Sequence, residues 1–96
     1  MRSVRLTPAA RKDLADIRRY TLRRWGREQA NAYIRAFNAT FGRLADGNLA
    51  GSPADEIRPG HLRMRSGSHV IFYRADASTI RIVRVLHERM DFGAHL

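Results

Sequence analysis

No cysteine occurs in this chain of 96 residues. That excludes a disulfide framework and thiolate metal sites, and it is compatible with a reducing compartment. Long apolar runs are missing too. The run Val70-Ile71-Phe72-Tyr73 is typical of those present, and nothing of that length spans a bilayer. The opening MRSVRLTPAARKDL lacks the apolar core of a signal peptide, so a cytoplasmic protein is expected. Lysine is almost absent, Lys12 being the only one. Acidic residues are few: nine against eighteen basic ones, for a net charge of +9. No glycine-rich phosphate loop is present. His87-Glu88-Arg89-Met90-Asp91 begins like a zinc-protease signature, but Asp91 stands where the second histidine belongs, and the flanking pattern is a strand end. His61, His69 and His95 have no ligand spacing.

What is present suits one small domain, residues 1–96, with 44% hydrophobic residues to build a core. The positive balance fits nucleic acid, an acidic protein or an anionic surface, or a simply solvated basic face. Arginine rather than lysine favours bidentate contacts with phosphate or carboxylate.

The order of elements predicts an α+β fold, β-α-α-β-β-β. Arg2 to Leu6 alternates as a short strand. Thr7-Pro8 then reads as a helix start, with threonine as cap and proline where its missing N–H costs nothing. The first helix should run from Pro8 to about Trp25, with Ala10, Leu14, Ile17, Thr21 and Trp25 as its apolar stripe. Gly26 is expected as a left-handed cap. A second helix should run from about Arg27 to Asp46, ended by Gly47, with the stripe Ala30, Tyr33, Phe37, Phe41 and Leu44. So short a connection makes an antiparallel helical hairpin. Gly47 to His61 reads as loop, and its adjacent acids Asp55 and Glu56 as solvated.

Three strands follow, Leu62–Ser66, His69–Arg74 and Thr79–His87, in an antiparallel meander. The tail from Glu88 to Leu96 has room for one helical turn. The stretch Ser66 to Asp91 organises the rest, because its apolar residues fall on both strand faces. With Asp76-Ala77 as the turn, Ile71 pairs Ile82 and Tyr73 pairs Ile80 on one face. Val70 pairs Val83 and Phe72 pairs Arg81 on the other, with Val85 nearby. The hairpin covers one face. The other needs a second copy, a peptide of another chain, or the chain's own loop or tail.

A nuclease reading also has candidates. Arg63, Arg65, Arg74, Arg81 and Arg84 lie on strands, and His87 ends the last with Glu88 beside it. Arginine can stabilise charge on a transferring phosphoryl group, and histidine can serve as general acid or base.

Three segments carry a family resemblance: VRLTPAARKDLADIRRYTLRRWGREQANAY, IRPGHLRMRSGSHVIFYRAD and IRIVRVLHERMD. Together they resemble the ParE toxins of the RelE/ParE superfamily, over nearly the whole chain. The resemblance implies a type II toxin–antitoxin toxin, a helical hairpin packed on a small antiparallel sheet. It implies that the protein poisons DNA gyrase, needs no cofactor, and is held inactive by a ParD-like antitoxin in a hetero-oligomer. The other branch of the superfamily, the RelE-like ribonucleases, typically uses strand lysines and arginines with a tyrosine or histidine near the C-terminus. Here the strand lysines are absent and no tyrosine follows Tyr73, which leaves His87 as the match. No catalytic set is carried over. On the ribonuclease alternative the set would be His87, Arg84, Arg74 and Glu88. A basic nucleic-acid-binding module is the further alternative. The antitoxin is expected on Leu22, Trp25, Val70, Phe72, Val83 and Val85. The target is expected on Arg63, Arg65, Arg81, Arg84, His87 and Arg89.

Overall fold

Thr7 is where the first strand becomes a helix. In the computed structural model, which describes residues Met1–Leu96, β1 spans Ser3–Leu6 and α1 spans Pro8–Trp25. The Thr7 hydroxyl accepts from the Ala10 N–H (3.0 Å) and donates to the Val83 carbonyl (2.7 Å). One side chain thus caps the helix and ties its start to the sheet. α2 spans Arg27–Asp46, antiparallel to α1. Gly26 alone joins them. Its φ of 93° and ψ of 174° lie outside the left-handed helical region expected for it. A side chain is strongly disfavoured there, so glycine is required on either account. Its N–H bonds the Leu22 carbonyl and its own carbonyl accepts from Ala30, so one residue closes one helix and opens the next. Gly47 ends α2 in the left-handed conformation, as expected.

After the loop come β2 (Ser52–Pro53), β3 (Leu62–Ser66), β4 (His69–Ala75), β5 (Thr79–His87) and the single turn α3 (Phe92–His95). The expected α+β order holds. The sheet order is β1-β5-β4-β3-β2, and β1 runs parallel to β5, so the sheet is mixed rather than wholly antiparallel. The hairpin lies between β1 and β5 in sequence and supplies the crossover that a parallel pair requires.

The helices lay Phe37, Phe41, Leu44, Ala45 and Ala10 against Ile71, Tyr73, Ile80, Ile82 and Val85 of the sheet. Tyr73 brings its hydroxyl into this layer and accepts the Gly51 N–H at 2.7 Å. A Cβ on Gly51 would overlap the Arg63 carbonyl and crowd that hydroxyl, so the close approach needs glycine.

The pairing of β4 with β5 differs from the sequence expectation. The turn is longer, with Asp76 N–H bonded to the Thr79 carbonyl, so Tyr73 pairs Ile82 and Arg74 pairs Arg81. A bulge then leaves Val83 as an extra residue. Beyond it Phe72 pairs Arg84, Ile71 pairs Val85 and Val70 pairs Leu86. An extra residue reverses the alternation of everything after it. Val85 therefore belongs to the hairpin side, not with Val70 and Phe72, and Leu86 takes its place on the outer side.

The outer face is not left bare. Ala54 and Ile57 from the loop and Phe92 and Leu96 from the tail pack over Val70, Phe72 and Leu86. The Phe72 and Phe92 rings meet edge to face, centroids 4.9 Å apart. The Arg58 guanidinium holds the Leu96 carbonyl at 2.7 Å, and the Arg84 guanidinium holds that of His95 at 2.8 Å. Burial of Phe72 and Leu86 contributes roughly 1.5–3 kcal/mol each. The requirement for an outside partner on this face is thus corrected: the chain folds its own loop and tail over it.

Candidate functional site

The exposed apolar surface lies on α1. Trp25 is 65% exposed, Tyr20 64% and Leu22 38%, unusual values for such side chains in a helix that also packs on a core. Of the apolar residues predicted for a partner, only Leu22 and Trp25 are open. Phe72 is 0% and Val85 2% exposed, Val70 is buried with them, and Val83 is half-buried in the bulge. Trp25 was read as the end of the α1 core stripe. It instead stands largely in solvent, with the Arg24 guanidinium 5.6 Å from its ring centroid.

Beside Trp25 runs a groove of about 440 Å³. Ile17, Tyr20, Thr21 and Trp25 of α1 form one wall, Gln29 and Tyr33 of α2 the next. Gly67, Ser68, His69 and His87 close the sheet side. Three elements therefore meet here: the hairpin corner at Gly26, the β3–β4 turn, and the end of β5. The floor is polar but its groups are satisfied. The Tyr33 hydroxyl lies 2.6 Å from His69 Nδ1 and accepts from the Ser68 N–H at 3.4 Å. The His69 and His87 rings meet edge to face with centroids 5.2 Å apart, and His87 Nδ1 accepts the Arg89 N–H at 3.1 Å. Burial pushes His69 down to about 4, helped by the charge of His87 and opposed by that of Asp13, so its imidazole is neutral at pH 7. Burial also raises the Tyr33 phenol above its ordinary value, with the Ser68 N–H working the other way. The groove is thus a trough lined by several aromatic side chains with a neutral His69 in its floor, and exposed Arg23, Arg24 and Arg89 lie on neighbouring residues. Such a trough suits an apolar side chain of a partner protein more than it suits catalysis.

The strand arginines divide into two groups. Arg63 pairs with Glu56 and Arg65 with Glu88. Arg84 makes a bidentate pair with Asp13: Nε to Oδ2 and Nη2 to Oδ1 are both 2.8 Å, and Oδ2 also accepts the Val85 N–H at 2.9 Å. β1 pairs β5 only as far as Ile82, so Asp13 satisfies the edge of β5 where β1 stops. The hydrogen bond to Asp13 raises the Arg84 pKa above its ordinary value. Arg74, Arg81 and Arg89 have no such acid.

This geometry does not assemble the residues named for a ribonuclease. Arg74 sits at the far end of β4 from His69 and His87, roughly 17 Å along the strand at the usual rise per residue. Arg84 is committed to Asp13, and Glu88 to Arg65. Sequence reasoning missed Tyr20, Gln29, Tyr33, Ser68 and His69 as groove residues. Tyr20 follows Ile17 by three and precedes Arg24 by four, so it flanks the apolar stripe, and that spacing was the available signal.

Comparison with known proteins defines the class first. A family model described as "ParE toxin of type II toxin-antitoxin system, parDE" matches residues 4–92. The chain belongs to the ParE toxin family of type II toxin–antitoxin systems. It is 44% identical over 96 residues to Toxin ParE1 of Caulobacter vibrioides, covering 100% of this chain and 99% of that one. Toxin ParE1 of Mycobacterium tuberculosis is 44% identical over 92 residues, covering 95% of this chain and 94% of the relative. Toxin ParE of Escherichia coli is 37% identical over 93 residues, covering 95% and 89%. Among solved structures, a chain of the chromosomal ParDE TA system from P. aeruginosa shares the fold, with a TM-score of 0.75 at 22% identity over 91% of this chain and 96% of that one. A chain of the toxin–antitoxin complex RelBE2 from Mycobacterium tuberculosis matches with a TM-score of 0.64 at 30% identity, covering 90% and 96%. No helix of this protein is long and apolar enough to cross a membrane.

Proposed function

We propose that the protein inhibits DNA gyrase by binding it, and that a ParD-like antitoxin neutralises it by occupying the same groove. Toxin and antitoxin then form a hetero-oligomer in the bacterial cytoplasm. One observation carries this reading. Trp25, from the apolar set assigned to the antitoxin, and His87, from the basic set assigned to the target, line one groove. A segment seated on Trp25 therefore shields His87, and neutralisation becomes competition for a surface. Burying Trp25 and Tyr20 supplies the aromatic anchors on which tight protein contacts centre. The net charge of +9 favours fast capture by an acidic antitoxin segment. The family, and the structural neighbour from the toxin–antitoxin complex RelBE2, support an antitoxin as the partner.

Val70, Phe72 and Val85 are buried within the chain, so the antitoxin contact centres on Trp25 in the groove, with Leu22 exposed outside it. Arg63, Arg65 and Arg84 are paired with acids, so His87 and Arg89 lead the target set at this end of the sheet.

The test is a supercoiling assay with purified gyrase, run beside a ribosome-dependent mRNA cleavage assay. The expected result is dose-dependent loss of supercoiling with intact mRNA, reversed by antitoxin. Cleaved mRNA with unaffected supercoiling would replace this reading with the ribonuclease one.

A further inference from the structure

The register of the sheet puts Arg5 of β1 beside Arg81 of β5, and Arg81 beside Arg74 of β4. Register partners point to the same face, so the three side chains form one row across three strands. They lie on the face away from the hairpin, since Val4, Leu6, Ile80, Ile82 and Tyr73 on either side of them all pack toward it. All three arginines are exposed. The row spans about 10 Å at the usual strand spacing.

Like charges directly opposite one another across strands are destabilising. The other strand arginines escape that cost: Arg63, Arg65 and Arg84 each have a carboxylate. Arg5, Arg74 and Arg81 have none. Asp76 lies close enough to Arg81 for their charges to interact, but its Oδ1 accepts the N–H groups of Ser78 and Thr79 at 2.8 Å each and it forms no ion pair with the row. The Arg74 guanidinium lies against Gly60, where a Cβ would come within 3.2 Å of Nη2. Three cations thus stand against one neighbouring carboxylate, an excess that an anion from outside completes.

We propose that this row binds the phosphate backbone of a nucleic-acid duplex. The nearby surface decides between that and an acidic protein. The depression at the Arg74–Arg81 end of the row is formed by Arg74, Ala75, Asp76, Thr79 and Arg81, with no large apolar or aromatic side chain. Protein interfaces centre on such anchors, whereas a phosphate backbone asks only for spaced charge. The same lack of aromatics removes any platform for unstacked bases, which favours a duplex over a single strand. Arginine suits the role because its guanidinium takes phosphate oxygens in bidentate fashion. The row lies at the opposite end of β4 and β5 from the groove, so this inference stands apart from the gyrase reading and survives its failure.

The test is fluorescence anisotropy of a short labelled DNA duplex with the whole protein, without gyrase, between about 50 and about 200 mM salt. The row variant is R5Q/R74Q/R81Q. The control R11Q/R35Q/R43Q removes the same charge from exposed helical positions. Circular dichroism establishes that both are folded, and the single R81Q, read the same way, stands in if the triple variant is not. The wild type should bind with log K falling linearly in log salt. The row variant should lose up to about 2.7 from that slope, and R81Q about 0.9, at about 0.9 per phosphate contact. The control should keep the wild-type slope. Absence of duplex binding by the wild type at the lower salt would overturn the proposal. So would an equal loss of slope in row variant and control, or row-dependent binding of a polyglutamate peptide but not of DNA.

Discussion

At one end of the β4–β5 ribbon His69 meets His87, beside an exposed tryptophan and tyrosine. At the other, Arg74 meets Arg81 and no aromatic lines the depression beside them. The two ends share strands, register and a basic setting, yet they offer different chemistry. The histidine end has shape: a groove between helix, turn and strand, with two large side chains held out of the core. The arginine end has charge, and a depression without aromatic side chains. The first can discriminate among proteins by what fits beside Trp25. The second can grip any regularly spaced anion and reads little of its identity. Net charge alone hid this division, because it averages over both ends.

The largest effect is expected where β5 is held between them. Asp13→Ala removes a bidentate partner from Arg84 and an acceptor from the Val85 N–H, and leaves both part-buried. The cost should be about 3 kcal/mol, toward the lower limit for broken buried pairs because the site is partly solvated. Urea unfolding should show a lower midpoint at unchanged slope. A loss near zero would mean that the Asp13–Arg84 pair does not hold β5.

Trp25→Ala sharpens the contrast between binding and folding. Antitoxin affinity should weaken by about 2 kcal/mol, roughly 30-fold, while folding stability changes by no more than about 0.5 kcal/mol. Titration calorimetry and thermal unfolding read the two separately. A large stability loss would return Trp25 to the core.

Phe92→Ala tests the cover on the outer face. Phe92 is half-buried against Phe72, so the loss should be about 1.5 kcal/mol by the usual area scaling. Unchanged stability, by denaturant titration, would reopen that face as a docking surface.

A pH dependence is expected from the histidine end. His69 is held at about 4 against an ordinary 6.5, and Tyr33, His87 and Asp13 are the titratable groups around it. Between those two values the unfolded chain takes up a proton that the folded one refuses. Stability is therefore full above about 6.5 and declines as pH falls toward about 4. His69→Gln should flatten that decline in melting temperature. An equally steep decline in the variant would assign it to other groups.

Much of the fold was legible because its signals are local. Thr7-Pro8 and Gly47 mark helix ends through the chemistry of single residues, and alternation set β3 and β5 at Leu62–Ser66 and Thr79–His87. What escaped depends on contacts distant in sequence. Val83 is an ordinary strand residue, and nothing about it announces a bulge. Yet the bulge moved Val85 to the other face. Phe92 and Leu96 are two apolar residues in a polar tail, too few to read as a layer until Phe72 is seen beneath them. The groove was half legible: Trp25 and His87 were singled out, but for different partners, because only the fold brings α1 and the end of β5 together. Arg5 could not be joined to Arg74 and Arg81 without the parallel pairing of β1.

The claim that matters most is that gyrase and antitoxin compete for the groove lined by Trp25 and His87. Immobilised gyrase loaded with this protein, with antitoxin titrated over it, tests that directly. Competition predicts release of the toxin from gyrase, with dissociation complete at saturating antitoxin. A stable ternary complex, holding toxin on gyrase while antitoxin is bound, would contradict it.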